Sequence, residues 1–307
     1  MKVSVIIPAY KEIYLLNTLQ SVFAQSFTDF EVIVINDGSP YPIDKILRPL
    51  AEAGRIRYFE QDNRGVAAAR NRGLREARCE LIAFLDDDDY WPEDKLDWQV
   101  RYLEHHPEVG MVLGSWAMIG KEGLETHRIP LKEMRMTRSD FLVRTQDALG
   151  SLGQTLIRRE LFSQVNGFDE NLSGADDFDL CLKIAGIAIV MSYGNMALYY
   201  RVHQLNASHN PLLMCLTNQI VIDRHLPSFP PKIRSLQRLK AAQWLYFFRG
   251  QAVIRHWKRR LWSGKRQDSW KYIQAIAWFL RGSVLDPGFL VTICKEIMPA
   301  RIFAAAE

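Results

Sequence analysis

No stretch of this 307-residue chain reaches the roughly 18 apolar residues that a membrane-crossing helix needs; the longest runs, such as 184–191, have the length of a buried core segment. The apolar run that begins at Met1-Lys2-Val3-Ser4-Val5-Ile6-Ile7-Pro8 is too short for a secretory leader. Cysteine is scarce. Cys79, Cys181, Cys215 and Cys294 lie far apart, with neither metal-ligand spacing nor the even clustering of a disulfide framework. These shortages predict reduced thiols in a cytoplasmic setting. Internal repeats and low-complexity segments are also missing, which excludes a repeat architecture.

What is present is a globular composition, with 48% hydrophobic residues, long enough for one large domain and a smaller one. The formal charge of +4 conceals an asymmetry: residues 210–307 hold 16 Lys and Arg against 5 Asp and Glu, a net +11, so residues 1–209 carry −7. An acidic front and a basic back imply two parts with different partners. The boundary is expected near 210, giving parts 1–210 and 211–307.

Along the first hundred residues, short apolar runs alternate with helical patterns. Strands are expected over 3–7, 32–35, 56–60 and 81–85. Helices are expected between them, near 15–23, 43–53 and 66–77, with another over 92–105. Such alternation implies βαβ units and a mostly parallel sheet flanked by helices, an α/β fold. Further on, 109–118 and 188–193 read as strands and 176–185 as a helix with acidic residues in its first turn. Beyond Pro211 the pattern is helical, a C-terminal helical extension.

The densest chemical signal is Asp86-Asp87-Asp88-Asp89, directly after the apolar run Leu81-Ile82-Ala83-Phe84-Leu85. Crowded carboxylates repel one another and raise some of their pKa values unless a cation neutralises them. Divalent Mg²⁺ or Mn²⁺ takes oxygen ligands and shares its shell with phosphates. The other reading is a solvated acidic loop or a helix-start cap. The end of a buried strand favours a metal and nucleotide site, since ligands of open α/β sheets bind at the carboxyl ends of the strands. Pro8-Ala9-Tyr10, Asp37-Gly38-Ser39, and Asn63 with Arg70 follow the other strands, so four successive strand ends present polar groups to one edge. Taken singly, Asp37 before glycine reads as a turn former and Arg70 as a solvated charge.

Together these segments resemble the family 2 glycosyltransferases of the GT-A fold: Val5-Ile6-Ile7-Pro8-Ala9-Tyr10, Val34-Ile35-Asn36-Asp37-Gly38-Ser39, Asn63-Arg64-Gly65 through Arg70-Asn71, and Phe84-Leu85 into the aspartate run. The stretch from Gly167-Phe168-Asp169 through Ala175-Asp176-Asp177-Phe178-Asp179-Leu180 fits as well, as does Tyr200-Arg201-Val202-His203, so the likeness covers roughly 1–205. The resemblance implies an inverting enzyme that moves a hexose-type sugar from a nucleotide donor, most commonly a UDP-sugar, to a glycan or lipid-linked acceptor. It implies that Asp88, with His203, binds Mn²⁺ or Mg²⁺, and that Asp86 and Asp87 face the uracil or ribose. Pro8, Tyr10, Glu12, Asp37, Asn63 and Arg70 would line the nucleotide pocket. Asp177 would be the general base, with Asp176 beside it. Read without the family, the Asp176-Asp177 pair is a charge compensation at a helix start. The chain departs from the family pattern at Asp176, where Glu is common, and at Lys11, where Asn is common. A Gln-x-x-Arg-Trp signature of processive synthases is not found near its expected position, which implies single-sugar transfer.

Two other functions are set against this one. A sugar nucleotidyltransferase would carry a glycine-rich basic loop after the first strand, and Pro8-Ala9-Tyr10-Lys11-Glu12 has no glycine. A non-catalytic scaffold on a degenerate transferase fold would not need Arg70, Asp88 and Asp177 intact. In the basic part, Trp244, Trp257, Trp262, Trp270 and Trp278 are interleaved with Arg255, Lys258, Arg259, Arg260, Lys265, Arg266 and Lys271. This pattern suits an anionic membrane surface at its cytoplasmic face, or simply core tryptophans. A lipid-linked acceptor favours a membrane over nucleic acid, which is not expected as a partner.

Overall fold

The computed structural model describes residues 2–229 apart from 12, 144–148, 173, 204–205 and 207–210. The basic, tryptophan-rich segment and Glu12 therefore lie outside the described residues. The chain divides into two compact units, 1–206 and 207–307. Of the second, residues 211–229 are described; they include a helix, Pro211–His225.

In the first unit, strands β1 (Val3–Ala9), β2 (Phe30–Asp37), β3 (Arg57–Gln61) and β4 (Leu81–Phe84) pair in the order β3-β2-β1-β4, all parallel. The runs of β1 and β4 are buried throughout, as strands covered on both faces require. Helix α1 (Leu15–Phe23) buries Leu15, Thr18, Leu19 and Val22, an i, i+3, i+4, i+7 stripe. Helices α2 (Asp44–Glu52) and α3 (Val66–Glu76) make the next two crossovers. Small residues bring α3 against the sheet: a Cβ on Gly73 would stand 2.3 Å from Ile6 Cγ2. That closeness is what buries Arg70, one turn earlier on the same helix. The pairings Ala9 with Asn36 and Asn36 with Glu60 bring the carboxyl ends of these strands level.

The remainder of the unit contains α4 (Lys95–His105), β5 (Val109–Ile119), β6 (Glu125–Ile129), β7 (Met134–Met136), α5 (Arg138–Val143), β8 (Thr155–Arg158), α6 (Glu160–Gln164), α7 (Asp176–Ile184) and β9 (Ile189–Arg201). The nine-stranded sheet continues β4-β8-β5-β9-β7, with β6 beside β5. Strand β8 is antiparallel to both neighbours, β4 and β5, whereas β5 and β9 are parallel. The sheet is thus α/β and mixed, with its parallel half first. Strand β9 extends well past the expected 188–193, through register shifts against β5. It delivers Arg201 and His203 to the aspartate run. Among the described residues, no helix is long and apolar enough to cross a membrane.

Candidate active site

The four aspartates are held in three different ways. Asp86 Oδ1 accepts from Arg70 Nη2 at 2.6 Å. Asp87 Oδ2 accepts the backbone N–H groups of Tyr10 and Lys11, both at 2.7 Å. Asp88 Oδ2 accepts from Lys11 Nζ at 3.1 Å and lies 3.0 Å from His203 Nε2. Asp89 Oδ1 accepts the N–H of Arg201 at 2.8 Å, and its carbonyl accepts from Thr18 Oγ1. Asp87, Asp88 and Asp89 are all buried.

Their electrostatics differ accordingly. Burial, and then the charge of Asp88, pushes the Asp87 carboxyl up to about 7 against the pull of its two amide donors. Burial followed by Asp88 also raises Asp89 well above the usual carboxylate range. For Asp88, burial works upward but is outweighed by His203 and Lys11, which hold it below that range. Of the three buried carboxyls, Asp88 keeps its charge most firmly, and it is the one whose partners are side chains.

Asp37 ends β2 and organises the loop after β3. Its Oδ1 accepts from Gln61 Nε2 and the N–H of Arg64, and its Oδ2 from the N–H of Gly65. Next to it Gly38 has φ +64°, and an added Cβ would stand 2.6 Å from the Asn63 backbone nitrogen. The ends of β2 and β3 therefore touch, with Asn63 exposed above them. Pro8 is buried at the end of β1, while Tyr10 is exposed. Ser39 Oγ donates to the Tyr10 carbonyl at 2.7 Å, joining the first two strand ends.

Arg70 is engaged differently from a free phosphate ligand. Its Nη1 donates to Asp176 Oδ2 and its Nη2 to Asp86 Oδ1, each at 2.6 Å. Both carboxylates thus lie within the span of one buried guanidinium, although 90 positions separate them in sequence. Burial opposes the charge on Arg70, but Asp86 and Asp176 outweigh it and keep the group protonated. Asp176 is buried, and burial raises its carboxyl to about 6, with Arg70 pulling down and Asp177 pushing up. Asp177, next on α7, is only half-buried, and its Oδ1 accepts its neighbour Phe178's N–H at 2.6 Å. Of the pair, Asp177 is the carboxylate open to a reactant.

His203 is set by its surroundings. Its N–H donates to Asn206 Oδ1 at 2.7 Å, and Asn206 Nδ2 donates back to the Arg201 carbonyl. Its ring lies against Tyr14, centroids 5.3 Å apart. Arg201 spans the same region, donating through Nε to the Asp88 carbonyl at 3.0 Å, with its guanidinium 4.2 Å from the Tyr14 ring centroid. Lys11, Tyr14, Arg201 and Asn206 were not assigned roles from sequence. The departure at Lys11 was the signal available; Arg201 lay in the matched Tyr200–His203 stretch without a role, and Tyr14 and Asn206 gain theirs only when the end of β9 meets the loop before α1.

The donor set fits a divalent ion in part. Asp88 Oδ2 and His203 Nε2 converge, and a cation, the Lys11 ammonium, already sits against the same oxygen. Among the described residues, no group of three or more His, Cys, Asp or Glu is arranged to hold a metal by protein ligands alone. Such a site suits an ion that keeps water and takes substrate phosphates, as Mg²⁺ does.

An acidic run at the edge of a parallel β3-β2-β1-β4 sheet, bridged by arginine to a second acidic pair, defines a GT-A glycosyltransferase. The family model for glycosyl transferase family 2 matches residues 4–165, and the chain belongs to that family. An uncharacterised glycosyltransferase of Rickettsia bellii is 31% identical over 238 residues, 75% of this chain. The chain spans only 34% of that relative's length. The succinoglycan biosynthesis protein ExoW of Rhizobium meliloti is 46% identical over 101 residues, 31% of this chain and 32% of that one. The crystal structure of residues 1–349 of TarS from S. aureus in complex with UDP-GlcNAc aligns with a TM-score of 0.62 at 19% identity, covering 94% of this chain and 83% of that one. That likeness is one of fold.

Proposed function

We propose that this glycosyltransferase moves a single sugar, with inversion, from a UDP-sugar to a glycan or lipid-linked acceptor, with Asp177 as general base and Mn²⁺ or Mg²⁺ as cofactor. The observation that carries the reading is the Arg70 bridge, which fixes the Asp176-Asp177 helix start beside the aspartate run. The acceptor hydroxyl attacks the anomeric carbon from the face opposite the diphosphate. Its proton passes to the Asp177 carboxylate, the new C–O bond forms, and the bond to the diphosphate breaks with its electron pair going to the phosphate oxygen. A positioned base of this kind contributes about 10²–10⁴-fold. Asp88 and His203 would hold the metal ion, whose chemistry when bound is to neutralise charge on the leaving diphosphate. Asp37 and Asn63 line the nucleoside side, with Pro8 and Tyr10 at the end of β1. Arg70 holds Asp86 and Asp176 in register for both halves of the site.

The donor class is supported by the fold shared with TarS, a protein crystallised with UDP-GlcNAc. A carbohydrate-polymer acceptor is supported by the similarity to ExoW, named for succinoglycan biosynthesis. The basic residues 211–307 suit a peripheral contact with an anionic membrane presenting a lipid-linked acceptor. A panel of nucleotide sugars with Mn²⁺ tests the reading. The correct donor at 100 times its Kd raises stability by about 2.7 kcal/mol and is slowly hydrolysed without acceptor. Asp177→Asn keeps that stabilisation but loses at least about 10²-fold in transfer. Transfer at the parent rate removes Asp177 from the role of base. A panel in which no nucleotide sugar binds removes the donor class.

A further inference from the structure

We propose that Lys11 is a resident counter-cation of Asp88 that must leave it for a divalent ion to bind, coupling metal binding to arrival of the nucleotide diphosphate. The inference rests on the metal reading given above. Three observations carry it. The Lys11 ammonium lies 3.1 Å from Asp88 Oδ2, the same oxygen that faces His203 Nε2 at 3.0 Å. The Lys11 backbone is pinned by its N–H bond to Asp87 at 2.7 Å, so the stem that carries the ammonium is rooted at the aspartate run. The Lys11 side chain is 24% exposed and Asp88's 9%, so the ammonium covers the carboxylate from the solvent side.

An ion coordinated by Asp88 Oδ2 and His203 Nε2 would approach at about 2 Å. The ammonium cannot stay on that oxygen beside it, because two cations would share one anion within a few ångströms. Displaced, the flexible lysine stem carries its charge to the nearest new anion, the donor's diphosphate. Lys11 thus opposes the metal when the site is empty of nucleotide and assists it when the diphosphate is present. Such a residue makes metal and nucleotide bind cooperatively, and by linkage each strengthens the other equally.

Electron paramagnetic resonance of free Mn²⁺ measures the affinity directly, without turnover. The protein, Lys11→Met and Lys11→Gln are each titrated with Mn²⁺, with and without saturating UDP, after thermal melts establish that the variants are folded. Without UDP, both variants should bind Mn²⁺ at least about fivefold tighter than the parent, the lower end of ordinary coupling. UDP should tighten Mn²⁺ binding more in the parent than in either variant. Unchanged or weaker affinity in the variants, with the same UDP effect, overturns the role of Lys11 while leaving the metal site standing. Absence of Mn²⁺ binding in all three proteins, with and without UDP, overturns the metal reading and this inference with it.

Discussion

Replacing Arg70 by methionine preserves a long apolar stem and removes the charge that joins the two acidic segments. Arg70 is buried and donates to Asp86 and Asp176 at 2.6 Å each. Taking one partner out of a buried ion pair costs about 3–5 kcal/mol, because the other charge is left uncompensated. For a unit of about 200 residues each kcal/mol moves Tm by roughly 2–4 °C, so the expected loss is roughly 6–20 °C at pH 8. The pH dependence identifies the cause. The Asp176 carboxyl sits near 6 in the folded protein, above its ordinary 3.8. Folding therefore retains a proton that the unfolded chain loses between those values, and this contribution to stability is lost as pH rises through that window. Removing Arg70 removes the largest downward pull on Asp176, so its pKa rises further and the window extends upward. The deficit of Arg70→Met relative to the parent should be greatest above pH 7 and shrink toward pH 5, where protonation relieves the orphaned acid. Thermal melts by circular dichroism at pH 5 and pH 8, run on both proteins, measure it. Adding Asp176→Asn to Arg70→Met should recover part of the loss at pH 8. An equal deficit at both pH values, or no recovery in the double variant, would refute the reasoning.

Gly38→Ala should weaken nucleotide binding more than it weakens the fold, since φ +64° and a 2.6 Å approach to the Asn63 nitrogen force the ends of β2 and β3 apart. Isothermal titration with UDP checks this, and parent affinity would exclude the loop from the site. Neutralising Arg255, Lys258, Arg259 and Arg260 together should weaken binding to anionic vesicles and leave neutral vesicles unaffected, with added salt mimicking the variant. If the unmodified protein shows no salt-sensitive binding to anionic vesicles, the membrane contact is wrong.

Those elements whose signal is local were readable from the sequence. The buried runs of β1, β2 and β4, the stripe of α1 and the acidic start of α7 each follow from a few adjacent residues. The second half of the sheet was less accessible. Strand β8 has four residues, too few for a period, and it enters antiparallel between β4 and β5. Strand β6, Glu-Thr-His-Arg-Ile, is exposed in four of its five residues and shows no apolar alternation. The site residues are legible as types, whereas the pairs they form across the chain are not legible from local pattern. Arg70 is expected to line the nucleotide pocket, and its helix position says nothing of the carboxylate 106 residues away that it also binds. The Asp88–His203 contact, across 115 positions, was expected only through the family resemblance, since it depends on how far β9 runs past its apolar portion.

The aspartate run poses a charge problem whose solution sets one member apart from the other three. Asp86 is tied to an arginine that is itself tied to Asp176, so its partner cannot leave without stranding a second acid. Asp87 and Asp89 are held by backbone N–H groups, which move only if the loop or β9 moves, and burial keeps both prone to protonation. Asp88 alone is balanced by two side chains, Lys11 and His203, and its pKa is lowered. Side-chain rotation exchanges such partners without unfolding any element. A ligand site needs one group whose compensation is replaceable within a frame whose other charges are fixed. Three fixed aspartates and one exchangeable aspartate meet that condition, and they do so at the sheet edge where the strand ends converge.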